Sequence, residues 1–170
     1  MPKVLIMSDS HGLTEEILEI KNRHDIDHMI HCGDSELEMD TPEMAKFLKV
    51  GGNCDFDDRY PDEQVHSVDG LHIFITHGHL HDVKSNLMKL SYRAEENSAK
   101  VICYGHTHIA GAQKVADQLF INPGSVRLPR NRPEKTYALM EWESKDNISI
   151  TFFSLSGEQV KELSYTTTLS

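Results

Sequence analysis

Eleven of the 170 residues are histidine, and several stand with Asp, Asn or Gly directly after a short apolar run. Asp9-Ser-His11, Asp34, Asn53, His77, His106-Thr-His108 and Asn122-Pro-Gly-Ser125 all occupy such positions. Short apolar runs read as strands of a parallel sheet, and the ligand crevice of an α/β sheet lies beyond the carboxyl ends of its strands. These segments are therefore expected at one edge, where they supply two carboxylates, one amide oxygen and four imidazoles. A structural zinc takes four ligands and closes, so the set is too large for one such ion. It suits two divalent cations about 3.5–4 Å apart with one carboxylate between them. Nitrogen and oxygen donors without thiolate favour Mn2+, the expected ion, with Fe, Ni, Co or Zn as alternatives, over Mg or Ca.

Taken singly, each member has an ordinary reading. An Asp after a strand is a turn or helix cap, and Asn53 is a left-handed turn residue. Closely spaced histidines at strand ends, as in His77-Gly-His79 and Gly105-His106-Thr107-His108, have no packing purpose, and the ordered set decides for a metal centre. His24, His28, His31, His66 and His72 lack that context and read as surface or sheet residues, with His81 and Asp82 as loop and helix cap.

The elements that must position these residues follow from periodicity. Lys3–Asp9, His28–His31 and Phe47–Val50 read as strands, and Thr14 to about Arg23 as a helix with acidic residues in its first turn. Thr41-Pro42-Glu43 opens a second helix. Val65–Val68 and Leu71–Thr76 flank Asp69-Gly70 as a hairpin. Asp82–Asn97 reads as a helix with Val83, Leu87, Leu90 and Ala94 on one face, and Val101–Tyr104 as a strand. From Ala112 onward the pattern alternates as antiparallel strand, which predicts a second sheet packed on a largely parallel first one.

The length and the absence of any linker predict a single domain over residues 1–170. A content of 38% hydrophobic and 26% charged residues is that of an ordinary globule. The net charge of −10 argues against stable nucleic-acid binding and against an anionic membrane. Cys32, Cys54 and Cys103, odd in number and without CxxC spacing, read as reduced thiols, and with no signal pattern at the start the expected location is cytoplasmic. A homo-oligomer is compatible with so compact a chain.

In order, Asp9-Ser-His11, Gly33-Asp34, Gly52-Asn53-Cys54-Asp55, His77-Gly-His79 and Gly105-His106-Thr107-His108 resemble five blocks of the calcineurin-like metallophosphoesterase superfamily. The Gly-Asn-Cys-Asp variant, the small size and Asn122-Pro123-Gly124-Ser125 followed by Arg127 and Arg130 are similar to its compact YfcE-type phosphodiesterase branch. The resemblance implies an α/β fold, a four-layer α/β/β/α sandwich of two mixed sheets flanked by helices. It implies one metal on Asp9, His11, Asp34 and His108 and another on Asp34, Asn53, His77 and His106, with Asp34 bridging. The implied activity is metal-dependent hydrolysis of a small phosphodiester substrate by a hydroxide bridging the two ions.

Many relatives carry histidine where this chain has Cys54. A thiol of ordinary pKa ~8.5 is a poor acid partner for an alkoxide, so diesters with acidic leaving groups are the expected substrates. His79 is the nearest substitute donor. Arg127 and Arg130 read equally as a phosphate contact or as exposed loop residues. A metal-impaired protein-binding scaffold, a phosphomonoesterase or a nuclease are the alternatives on this fold; the complete ligand set favours an enzyme.

Overall fold

In the computed structural model, which describes residues 1–170, eleven strands form two mixed sheets. Lys3–Met7 (β1), His28–His31 (β2) and Phe47–Lys49 (β3) run parallel in the first. Thr136–Ser144 (β9) pairs antiparallel with β1, followed outward by Asn147–Ser154 (β10) and Tyr165–Thr167 (β11). The second sheet holds Glu63–Val68 (β4), Leu71–Thr76 (β5), Val101–Cys103 (β6), Gly111–Val115 (β7) and Gln118–Asn122 (β8), in the order β4-β5-β6-β8-β7. Within it, β5, β6 and β8 are parallel.

The central strands are apolar throughout because both their faces are covered. In β1, Val4 and Ile6 point into a 21-residue core between the sheets, while Leu5 and Met7 pack on the other side with Ile17 and Ile20. These last two belong to helix Glu15–His24 (α1). Across the molecule, Phe74, Ile102 and Phe120 meet Leu90 and Ala94 of helix Met88–Glu96 (α2). Helix, sheet, sheet, helix is the four-layer order that the resemblance implies.

Three expectations need correction. The antiparallel tail does not build a sheet of its own: β9, β10 and β11 extend the first sheet, while β7 and β8 join the second. Alternation reports that one face of a strand is buried but not which neighbour it pairs with. The Asp82–Asn97 helix begins only at Met88. Asp82 sits at φ 53°, and the Asn86 side chain accepts a hydrogen bond from Met88 N (2.9 Å), so polar turn contacts replace the first helical turns. Asp82 is thus not that helix's cap. The helix expected from Thr41 is a single 3₁₀ turn, Pro42–Met44. The Asp69-Gly70 hairpin has both residues at positive φ (44° and 83°), as a tight primed turn requires. No helix is long and apolar enough to cross a membrane.

Candidate metal centre

Six strands, β1, β2, β3, β5, β6 and β8, deliver their carboxyl ends to one edge. Asp9 and His11 follow β1, Asp34 follows β2, Asn53 follows β3, His77 follows β5, and His106 and His108 follow β6. Bonds across the edge tie the loops together: Asp9 N donates to Gly33 O, His11 N to Asp34 O (both 2.9 Å) and Gly105 N to His77 O (3.0 Å). Asp9, His11, Asp34, His106 and His108 all lie at positive φ (55°, 43°, 58°, 69° and 61°). Non-glycine residues held there cost about 1 kcal/mol or more each, a strain that gathers at functional sites.

The side chains form two groups. Asp9, His11 and His108 bring ligand atoms within 4.8 Å of one another, and so do Asp9, Asp34 and His77. His108 Nε2 is 3.1 Å from Asp9 Oδ1 and 3.3 Å from His11 Nε2. His77 Nε2 is 3.1 Å from Asp34 Oδ2, 3.1 Å from Asn53 Oδ1 and 3.7 Å from Asp9 Oδ1. Asp9 Oδ1 is thus the atom common to both groups. His106 places its ring 5.1 Å from that of His77, edge to face, outside the close groups. His79 stands farther out, 5.4 Å from the His77 ring, with its buried Nδ1 unpartnered. His11 also faces Glu36 (3.5 Å), and these two form a third close group with Cys54.

Whether these donors fit a cation is decided by where the protons are. His77 Nδ1 donates to Cys32 O (2.8 Å) and His108 Nδ1 to Leu128 O (2.7 Å). When neutral, each ring therefore turns the Nε2 lone pair inward, towards carboxylate and amide oxygens that are acceptors too. Asp9 Oδ1 is fully buried without a hydrogen-bond partner. Lone pairs facing lone pairs in a buried site call for positive charge between them, and a divalent cation supplies it. Protons serve the same need: burial presses the His77 pKa down, but Asp34 and Asp9 together raise it above the usual value. Burial likewise pushes Asp34 up, yet His77, the Cys54 N–H and His11 hold it well below the ordinary range. His106 is lowered to about 4 by burial and by the charge of His77. Cys54 is raised to about 11 by burial and the Asp34 carboxylate, and His79 is lowered by burial and His77.

Several residues quoted in the sequence motifs without an assigned role support the site. Asp55 accepts from Asp34 N (2.8 Å), Gly52 N (2.7 Å) and Glu36 N (2.8 Å), locking two loops together. Its place directly after Gly52-Asn53-Cys54 was the available signal. Asn122 donates to Thr107 Oγ1 (2.9 Å), and Ser125 Oγ donates to Asp9 O (2.7 Å). His31, read as a plain sheet residue, is completely buried beneath the site. Gly33 N donates to its Nδ1 (3.1 Å), so Nε2–H donates to Ser10 Oγ (2.9 Å) and the ring is neutral.

Burial lowers His31 from 6.5 to about 4. The unfolded chain therefore takes up this proton near pH 6.5 while the folded one resists it to about pH 4. The stability it contributes is present above pH 6.5 and is lost as pH falls through that window, about 3 kcal/mol in all. Urea unfolding in chelator at pH 7 and pH 4 should show the wild type losing that much more than His31→Gln. Equal losses would refute the assignment.

Comparison with known proteins identifies the family and the fold. A family model of the calcineurin-like phosphoesterase superfamily domain matches residues 2–145. The probable metallophosphoesterase YsnB of Bacillus subtilis is 46% identical over 168 residues, covering 98% of this chain and 99% of the relative. The phosphodiesterase YfcE of Escherichia coli K12 is 27% identical, covering 94% of this chain and 96% of its own. The solved structure of a conserved uncharacterized protein, a predicted phosphoesterase from Streptococcus pneumoniae TIGR4, superposes with a TM-score of 0.92 at 36% identity. It covers 97% of this chain and 96% of that one.

Proposed function

The chain belongs to the calcineurin-like phosphoesterase superfamily of metal-dependent hydrolases acting on phosphoester bonds, and on that premise we propose that it is a dinuclear phosphodiesterase. The single observation that carries this reading is the buried, unpartnered Asp9 Oδ1 facing the inward lone pairs of both His108 and His77. Asp9, His11 and His108 would hold one cation, and Asn53, His77 and His106 the other. Asp34 would lie between them, its Oδ2 3.1 Å from His77 Nε2. Two such ions, when bound, supply Lewis acidity towards phosphoryl oxygens and bring the pKa of water towards neutrality.

The chain's own residues do the rest. Cys32 O and Leu128 O fix the His77 and His108 tautomers, so that no reorientation is needed when a cation arrives. Asp9 and Asp34 carry the negative charge that draws cations into the edge, and with them an anionic substrate into a chain of net charge −10. A leaving group would meet a thiol, Cys54, pushed up to about 11 and so a poor acid, which favours leaving groups stable without a proton; His79 would be the nearest candidate donor.

The test is an assay on bis(p-nitrophenyl) phosphate before chelation, after chelation, and after readdition of Mn2+. Activity should fall by about 100-fold or more on chelation, return with Mn2+, and exceed that on an alkyl diester by a similar factor. Activity indifferent to chelator would sink the metal mechanism, and equal rates on both diesters would sink the leaving-group preference. We further propose Mn2+ as the preferred ion and a small phosphodiester as the substrate. The same readdition step with Fe, Ni, Co and Zn ranks the ions; a higher rate with any of them overturns the first choice.

A further inference from the structure

The loop from Ser125 to Arg130 is bonded to three of the candidate ligands. Ser125 Oγ donates to Asp9 O (2.7 Å), Arg127 Nη1 donates to His11 O, Arg130 N donates to His108 O (3.0 Å), and Leu128 O accepts from the His108 ring (2.7 Å). The loop is rigid within itself, because Ser125 Oγ also accepts from Arg127 N (3.1 Å) and Leu128 N (2.8 Å). Its arginines are therefore held at the mouth of the site.

Elsewhere arginines are occupied. Arg59, Arg93 and Arg132 pair with carboxylates, and Arg23 donates to the Tyr137 hydroxyl and Leu155 O. Arg127 is exposed and spends one N–H on the His11 carbonyl, and the exposed Arg130 guanidinium has no protein partner. With 27 acidic side chains in the chain, two arginines of one loop without a carboxylate are conspicuous, more so beside a group built to gather cations. Like charges so placed repel unless an anion lies between them.

Resting on the phosphodiesterase reading, we propose that Arg127 is a substrate-binding residue. Its free N–H groups donate to a non-bridging oxygen of the phosphodiester lying against the Asp9–His11–His108 group, and Arg130 adds positive charge at the same mouth. A guanidinium can bond the His11 carbonyl and a phosphoryl oxygen together through its planar fork; an ammonium cannot do so with the same geometry. The loop thereby makes an anionic diester, not a neutral triester, the fitting substrate.

The test uses the full-length, manganese-loaded protein with Arg127→Ala, Arg127→Lys and Arg130→Ala. Three quantities are read: kinetics on bis(p-nitrophenyl) phosphate, inorganic phosphate affinity by calorimetry, and Mn2+ affinity. Arg127→Ala should lose about 10- to 100-fold in kcat/KM and in phosphate affinity, with Mn2+ affinity little changed. Arg127→Lys should recover only part of this, and Arg130→Ala should lose less than Arg127→Ala. Phosphate affinity unchanged in Arg127→Ala would overturn the proposal. So would Mn2+ affinity falling in step with activity, which would make Arg127 a strut for His11. A wild type without manganese-dependent hydrolysis would sink the phosphodiesterase reading instead, and the phosphate affinities would still judge the arginine.

Discussion

Replacing Asp9 with asparagine should abolish turnover and at the same time stabilise the metal-free protein. Asp9 is completely buried, and its Oδ1 faces the inward nitrogens of His108, His77 and His11 without a hydrogen bond. The other oxygen accepts from Ser8 Oγ (2.5 Å) and His106 N (3.2 Å), contacts that an amide oxygen preserves. Above the pH at which His77 and His108, both raised by Asp9, give up their second ring proton, an amide nitrogen in the place of Oδ1 can donate to His108 Nε2, turning an unmatched contact into a hydrogen bond while removing a buried charge. Folding should gain about 1 kcal/mol, seen as a rise of about 2–4 °C in the Tm of the chelated protein. The Asp9–His11–His108 cation site loses its own carboxylate, so activity should fall by about 1,000-fold or more, and Mn2+ should raise the Tm less than in the wild type. A chelated Asp9→Asn protein less stable than wild type would show that Asp9 serves folding. Retained activity would show that it holds no metal.

Gly105→Ala should strongly destabilise the fold. A Cβ at this position falls on Ser8 Oγ and Asp9 Oδ2, with Ser8 Cβ at 3.1 Å. The backbone there is pinned from both sides: Gly105 N donates to His77 O (3.0 Å) and Gly105 O accepts from Asn122 Nδ2 (3.3 Å). Neither the loop nor the buried carboxylate can yield, so the added methyl should cost about 3 kcal/mol or more. Asp9 would be displaced in whatever fraction still folds, and Mn2+ binding would go with it. Gly111→Ala is the control, since a Cβ there meets nothing within 4 Å. It should be neutral or stabilising by up to about 1 kcal/mol, because alanine restricts the unfolded chain. Similar urea midpoints for the two variants would refute the close-packing account of Gly105.

Much of the site could be read before any coordinates, for a physical reason. A strand covered on both faces is apolar to its end, so the first polar residues beyond it mark the edge where loops turn. Asp9, Asp34, Asn53, His77 and His106 stand at such points in five strands of two sheets, and the structure brings them to one edge. The hairpin at Asp69-Gly70 and the packed face of Leu90 and Ala94 were readable likewise, since turn chemistry and helical period are local. The partners of β7 to β11 were not, because alternation specifies a buried face and leaves the neighbour open. Nor were the bonds that hold the site in shape. Ser125 lies 116 residues from the Asp9 carbonyl that it holds, and Arg127 lies as far from His11. Which proton sits on which imidazole, and that Asp9 Oδ1 is left facing only lone pairs, depend on contacts between distant loops. Sequence set the kinds of atoms that meet; packing decided how they face one another.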